Sequence, residues 1–170
     1  MNIALLAKLS WRLLHDDTSL WAKVLRSKYK VKDVKDAAWF NTKGNWSSTW
    51  QSVLKGMREV VIPGMSWVIG NGRTTNFWKD RWLLGSSLLE VATTGIPETL
   101  TEARVSDLWQ SSYGWSFTQI EPYVSAETKL RLTSVVVDEV TGGRDRMSWG
   151  QTQDGTFSVT SAYSFLTQDS

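Results

Sequence analysis

The sequence predicts an α+β fold in which a basic helical N-terminal part is followed by β-hairpins and short helices that share a tryptophan-rich core. Apolar residues recur at helical spacing before Pro63, and alternating residues and turn signals follow it. The 170 residues include 11 tryptophans. Because one tryptophan can bury about 200 Å² of surface, this number indicates large, rigid core anchors. The length allows one real core or two very small ones.

Charge divides the chain at Pro63. Residues 1–62 carry 11 Lys and Arg against 5 Asp and Glu, a balance of +6, and residues 63–170 carry 8 against 12, a balance of −4. We predict a basic helical segment over 1–62 and a hairpin-and-helix domain over 63–170, whose short last helix indicates a truncated C-terminal end. A polyanion would meet the N-terminal part, although a solvated helix face explains the charge equally well.

Three helices are predicted before Pro63. The first runs from Ile3 to the polar residues 15–17, and Thr18 or Ser19 caps the second. Residues 31–46 carry too much like charge for a helix and are predicted to form a linker. The apolar face of the second helix consists of Leu20, Trp21, Val24, Leu25 and Tyr29. The third begins at the capping-box pair Ser48 and Gln51, and its apolar stripe consists of Trp50, Val53, Leu54, Met57, Val60 and Val61.

After Pro63 the pattern predicts two hairpins. Asn71-Gly72 lies between the strand-like runs 67–70 and 74–78, as in a type I′ turn. A three-residue loop over 153–155, with Gly155 left-handed, would place Trp149 and Phe157 on one face, whereas a two-residue loop would separate them. Residues 83–104 are expected to form a long surface connection. Short helices are predicted near residues 105–109, 117–120, 126–132 and 161–166.

Counting excludes several kinds of chemistry. The chain has no cysteine and a single histidine, His15, so disulfides, thiolate nucleophiles, zinc fingers and histidine-based metal sites are ruled out. His15 beside Asp16 and Asp17 lies at a predicted helix end, where polar residues belong without catalysis. Gly70-x-Gly72 lacks the third glycine and the following helix of a dinucleotide loop. We expect no catalytic residue, metal or cofactor.

No stretch approaches the roughly 20 apolar residues that span a bilayer, and Lys8 and Arg12 interrupt the apolar start. We therefore expect an intracellular protein of the nucleus or cytoplasm, neither secreted nor membrane-bound.

Aromatic and basic residues alternate near Asn71-Gly72. Such a composition could stack bases and neutralise phosphates, but aromatic packing with snorkelling cations explains it better. The residues are Trp67, Arg73, Trp78, Lys79, Arg81 and Trp82.

Several motifs follow one another along the chain. They are Asn2-x-Ala4-Leu5-Leu6-x-Lys8, Leu20-Trp21-x-x-Val24-x-x-x-Lys28-Tyr29, Trp67-x-Ile69-Gly70-Asn71-Gly72-x-x-x-x-Phe77-Trp78-x-Asp80-x-Trp82, Val105-Ser106-Asp107-Leu108, Asp145-x-x-x-Trp149 and Gly155-x-Phe157-Ser158-Val159-x-Ser161-Ala162-Tyr163. With these motifs in this order, the chain resembles the segment that follows the polymerase core in plant non-LTR (LINE-type) retrotransposon reverse transcriptases. The resemblance covers nearly the whole sequence.

This resemblance implies a connector. The metal-binding aspartates of the family's RNA-directed DNA polymerase lie upstream of the matched segment, and a zinc-binding-like domain, in some members also a ribonuclease H domain, lies downstream. No catalytic residue of either module is carried over. The neighbouring polymerase and zinc-binding-like domains would be partners in a full-length parent, and the basic helices would form a thumb-like element.

Two functions follow as expectations. The first is a non-catalytic connector that binds the RNA or DNA backbone without sequence specificity. The second is an interaction module that docks neighbouring domains or protein partners through an exposed tryptophan-rich surface. The candidate phosphate contacts are Lys8, Arg12, Lys23, Arg26, Lys28, Lys30, Arg73, Lys79 and Arg81.

Overall fold

The computed structural model describes residues 2–36, 38–41 and 44–168. The α-helices are α1 (Ile3–His15), α2 (Leu20–Tyr29), α3 (Ala38–Asn41), α4 (Ser48–Gly56), α5 (Ile62–Gly64), α6 (Glu98–Thr101), α7 (Phe117–Ile120), α8 (Ala126–Thr133) and α9 (Val159–Gln168). A π-helical segment covers Met57–Val61, and 3₁₀ turns cover Val105–Leu108 and Glu121–Tyr123. The strands are β1 (Met65–Val68), β2 (Trp109–Gln110), β3 (Gly114–Trp115) and β4 (Arg146–Trp149). The α+β prediction is confirmed.

The chain forms two compact units. The first consists of Met1–Met65 and Trp149–Ser170, and the second of Ser66–Ser148. The first boundary lies close to the predicted division at residue 62. The structure differs from the predicted domain 63–170 in its last segment. Residues 149–170 belong to the first unit, where α9 packs with α1.

Helices α1 and α4 form the centre of the first unit, and they cross at a glycine. A Cβ atom on Gly56 would lie 2.7 Å from the backbone nitrogen of Ala7 and 2.8 Å from the hydroxyl of Ser10. The buried Ser10 Oγ donates to the carbonyls of Leu6, at 3.0 Å, and Val53, at 2.6 Å. The two backbones therefore approach closely through small residues.

The third predicted helix continues through three segments, which are α-helical, π-helical and again α-helical. Ser47, one residue before the predicted cap, accepts a hydrogen bond from the backbone of Trp50. The predicted apolar stripe is buried throughout. The segment widens to a π-helix where the Ile62 N–H reaches back to the carbonyl of Met57. Pro63 has no N–H and its ring would clash with a carbonyl in a regular α-helix, which explains the wider turn.

The linker prediction for 31–46 is wrong over α3. Trp39 and Phe40 are buried, and their rings meet edge to face at 5.0 Å. The indole nitrogen of Trp39 donates to the carbonyl of Asp33 at 3.0 Å. Aromatic burial thus outweighs the like charges of this stretch. Thr42 and Lys43 lie outside the described residues.

The apolar face assigned to α2 is only partly correct. Leu20 and Val24 are more than half exposed, and Ala22 is the buried residue of the helix. The predicted helix itself is confirmed.

The second unit has an aromatic core under irregular loops. Phe77 and Trp78 are fully buried, and the Trp115 indole donates to the carbonyl of Leu132 at 2.8 Å. Strands β2 and β3 pair antiparallel, with Trp109 opposite Trp115. The residues buried in this core are Phe77, Trp78, Leu88, Val105, Leu108, Trp115, Ile120, Leu132 and Val137.

The hairpin predicted at Asn71-Gly72 is wrong. Strand β1 pairs with β4, and no ladder joins 67–70 to 74–78 in this described stretch. Instead, the Asp145 carboxylate accepts six hydrogen bonds from four residues of the loop. The donors are the backbones of Gly70, Gly72, Thr74 and Thr75 and the hydroxyls of both threonines, at 2.8–3.1 Å. The Asp145 carboxylate thus accepts hydrogen bonds from backbone N–H groups that would otherwise be available for pairing in a hairpin.

The second predicted hairpin is half right. Gly155 is left-handed at φ 72°, as the three-residue loop requires, and its N–H donates to the carbonyl of Thr152 at 3.3 Å. The Trp149 and Phe157 rings meet at 4.9 Å, as predicted. The backbone of Trp149, however, donates to the carbonyl of Gly155 at 2.9 Å, which is not the pairing of a regular hairpin around that loop. No second strand forms over 156–159, because Ser158 instead accepts from the Ser161 backbone at the start of α9.

We expect the Gly56→Ala variant to lower the free energy of unfolding by about 1–3 kcal/mol, although alanine favours helices, because its Cβ would overlap the α1 backbone. Urea unfolding followed by circular dichroism measures the change. Gly95→Ala is the control, since nothing lies within 4 Å of its Cβ position. Equal stability of the two variants would contradict the close crossing.

We expect Asp145→Asn to destabilise the protein by about 2–4 kcal/mol, because the amide replaces a charged acceptor of six hydrogen bonds with a group that is partly a donor. Although burial raises the pKa of Asp145, hydrogen bonds from Gly70, Gly72, Thr75 and Thr74 hold it below its ordinary value. Its contribution is therefore present above about pH 4 and lost as pH falls further. Urea unfolding at several pH values measures both effects. The control is Asp138→Asn, whose carboxylate accepts only local hydrogen bonds from Val140 and Thr141.

Candidate nucleic-acid interface

The α1–α2 corner is fixed by one carboxylate and one guanidinium. Asp16 accepts hydrogen bonds from the backbones and hydroxyls of Ser19 and Thr18, which hold its pKa far below the ordinary value. Arg26 donates to the carbonyls of Leu13 at 2.9 Å and Asp16 at 2.5 Å. It also lies 3.5 Å from the Asp17 carboxylate. Arg26 therefore closes the corner from inside the unit.

The other basic residues of α1 and α2 face solvent. Lys8, Lys23, Lys28 and Lys30 are exposed, and none of them forms an ion pair with another described residue. Arg12 is half exposed, lies 5.3 Å above the Trp21 ring and pairs with Asp16 at 3.3 Å. Six cations of α1 and α2 were predicted to contact phosphates. Five of them are accessible to solvent, and Arg26 is mostly occupied by hydrogen bonds within the unit.

The three cations predicted in the second unit differ from one another. Arg73 is exposed, Arg81 is half-buried, and Lys79 pairs with Glu102. The tryptophans beside them are not free to stack on bases. Trp78 is fully buried, Trp67 is 8% exposed, and the Trp82 indole donates to the carbonyl of Phe77 at 2.9 Å. The favoured explanation, aromatic packing, describes this cluster better than base contact, although it occurs in a loop core and not across strands.

The tryptophans do not form an exposed docking surface. Each of the 11 is buried or half-buried, and rings such as those of Trp11, Trp39 and Trp109 pack against another tryptophan.

His15 has a structural role. Its ring stacks on Trp11 at 4.2 Å, and its Nδ1 donates to the Trp11 carbonyl at 2.9 Å. Among the residues that the structure describes, no three His, Cys, Asp or Glu side chains are grouped to hold a metal ion.

Three grooves of the first unit combine aromatic and basic side chains. The Lys8 groove, about 380 Å³, is lined by Lys8, Trp11, Arg12, Phe157, Ser158 and Val159. The Lys30 groove, about 300 Å³, is lined by Tyr29, Lys30, Lys32, Asp36, Ala38, Trp39 and Trp46. The Lys55 groove, about 690 Å³, is lined by Gly44, Trp46, Ser48, Gln51, Ser52, Leu54, Lys55 and Arg58. Trp46 belongs to two of them.

Sequence reasoning missed Trp46, Lys55 and Arg58. Trp46 lay at the end of the predicted linker, and Lys55 and Arg58 lay among apolar residues that define the helix. For Lys55 and Arg58, the available signal was their position on the polar side of that stripe.

Two plant proteins are relatives of this chain. It is 47% identical over 169 residues, 99% of its length, to an Arabidopsis thaliana protein named "Putative ribonuclease H protein", of which the match spans 27%. It is 34% identical over 88 residues, 52% of its length, to an Arabidopsis "Uncharacterized mitochondrial protein", of which the match spans 55%. The chain thus corresponds to about a quarter of the first relative and about half of the second.

These matches agree with the plant, transposon-type resemblance of the motifs, while the names of the two relatives contain a ribonuclease and no polymerase. No family model and no solved structure matches the chain. No helix within the described residues is long and apolar enough to cross a membrane.

We expect Arg26→Gln to lower the free energy of unfolding by about 1–3 kcal/mol, because two carbonyl groups lose a charged donor. Lys23→Gln, which removes an exposed charge from the same helix, should stay within about 0.5 kcal/mol of the parent. Urea unfolding compares the two variants. If Arg26→Gln were as stable as Lys23→Gln, Arg26 would not hold the corner.

Proposed function

We propose that this chain is a nucleic-acid-binding segment of a plant retrotransposon-type protein, and that its first unit contacts the sugar-phosphate backbone without sequence specificity. The observation that carries the proposal is the set of exposed cations on α1 and α2, Lys8, Arg12, Lys23, Lys28 and Lys30. The relative named for ribonuclease H, a nuclease, supports a role near nucleic acid. A connector role beside polymerase and zinc-binding-like domains belongs to the same proposal.

Charge favours the first unit as the binding surface. It carries 11 Lys and Arg against 7 Asp and Glu, a balance of +4, whereas the second unit carries 8 against 10, a balance of −2. Lysine contacts to phosphates release counterions, so binding of this kind weakens steeply with salt and does not depend on base sequence.

A docking function is the second candidate, and one observation favours it. Apolar side chains one helical turn apart are exposed on both helices: Leu5 and Leu9 on α1, and Leu20 and Val24 on α2. This surface differs from the tryptophan-rich surface expected from the sequence. Concentration-dependent self-association in light scattering, without nucleic-acid binding, would favour this candidate.

We expect the parent chain to bind labelled single-stranded RNA, single-stranded DNA and an RNA–DNA hybrid at about 50 mM salt, and far more weakly at about 200 mM. Replacing Lys8, Lys23 and Lys28 by Gln should weaken all three and lower the salt slope by about one for each phosphate that the variant no longer neutralises. Fluorescence anisotropy measures both quantities.

The matched control replaces Arg131, Arg144 and Arg146, three exposed cations of the second unit, by Gln. It changes the net charge equally and should leave the salt slope unchanged. Equal weakening in the two triple variants would show that net charge, and not the α1–α2 surface, drives binding. Absence of binding at low salt would refute the proposal.

A further inference from the structure

Trp46 lies where the Lys55 groove and the Lys30 groove meet, and it lines both. Its indole covers Gly44, where a Cβ would lie 2.8 Å from ring atoms. Its carbonyl accepts from the side-chain amide of Gln51 at 3.0 Å. The Trp46 ring therefore packs against the backbone of Gly44, and the hydrogen bond from Gln51 holds the backbone of Trp46 to α4. The side chain is half-buried, so part of it remains accessible to solvent.

Cations flank this ring in both grooves. Lys55 and Arg58 line one, and Lys30 and Lys32 line the other. Asp36 is the one acidic residue among the described lining residues, and it lies 3.5 Å from Lys32. The combined surface is thus complementary to an anion.

The π-helical segment contributes to this surface. Arg58 lies in it between the buried residues Met57 and Val60, so its side chain starts from a fixed backbone. Its Nη1 donates to the carbonyl of Phe40 at 2.7 Å, which orients the guanidinium. The remaining N–H groups suit bidentate contact with a phosphate. Single π-helical turns are frequent at functional sites.

We propose that the two grooves bind one single strand of nucleic acid, with a base stacked on Trp46 and phosphates held on either side by Lys55 with Arg58 and by Lys30 with Lys32. This inference rests on the proposed function and makes it more specific. An aromatic face between cations is the arrangement that recognises single strands without regard to sequence. A duplex would not fit this role, because its base faces are already stacked.

The first test replaces the aromatic face. Trp46→Ala should weaken binding of a labelled oligouridylate of about 12 nucleotides roughly fivefold or more, and Trp46→Phe should recover most of the affinity. The salt slope should not change, since no charge is removed. Binding of a duplex of equal length should be unaffected. Tyr113→Ala, which removes an aromatic side chain that is 86% exposed in the second unit, is the control.

A second pair of variants tests the groove without removing Trp46. Ser48 and Thr49 are consecutive exposed residues in the first turn of α4, but Ser48 lines the Lys55 groove and Thr49 does not. An acidic residue is favourable in this turn, so Ser48→Glu and Thr49→Glu should both fold. Ser48→Glu should weaken single-strand binding at least about threefold more than Thr49→Glu, because its charge faces the phosphates.

The outcomes separate this inference from the proposed function. Parent binding with selective weakening in Trp46→Ala and Ser48→Glu supports the grooves. Parent binding that is unchanged in Trp46→Ala, or equally weakened for duplex and single strand, overturns the stacking site and leaves the proposed function intact. Equal effects of the two glutamate variants overturn the groove. Absence of parent binding at about 50 mM salt overturns both.

Discussion

The Asp145 carboxylate organises the second unit. It lies about 70 residues along the chain from the loop that it binds, and it satisfies backbone donors of a turn that belongs to no regular sheet. Buried donors without partners are costly, so one charged acceptor with six hydrogen bonds replaces the ladder of a hairpin. The fixed loop then leads directly into Phe77 and Trp78, the fully buried centre of the aromatic core. Gly70 and Gly72 of one sequence motif and Asp145 of another are thus parts of the same hydrogen-bonded structure.

Helices were largely predictable because their signals are local. The stripe from Trp50 to Val61 and the stop at residues 15–17 follow from spacing alone, and the structure confirms both. The pairing of β1 with β4 was not predictable, since the donors of Gly70 and Gly72 find their acceptor on a residue remote in sequence. The same limit applies to the surface. Lys23 and Arg26 look equivalent in sequence, and only the Leu13 and Asp16 carbonyls distinguish them.

Most of the tryptophans pack in the protein cores, whereas Trp46 lines surface grooves. In the second unit Trp78 and Trp115 are buried anchors of the aromatic core. In the first unit, the half-buried Trp46 lines grooves that also contain lysines and Arg58. A count of aromatic and basic residues cannot separate these situations, because both consist of the same residue types. The difference comes from whether a ring packs into a core or onto the bare backbone of a glycine.

The first unit is assembled from two stretches of chain that are made at different times. Trp11 of α1 stacks on Phe157 and meets the edge of Trp149, both of which come from the C-terminal stretch. During synthesis on the ribosome, α1 therefore emerges with Trp11 uncovered. All of the second unit is translated before the C-terminal stretch that packs on Trp11. The second unit, which is continuous, is free to fold first. The core that the basic helices share with the C-terminal stretch is completed last, after translation has passed residue 157.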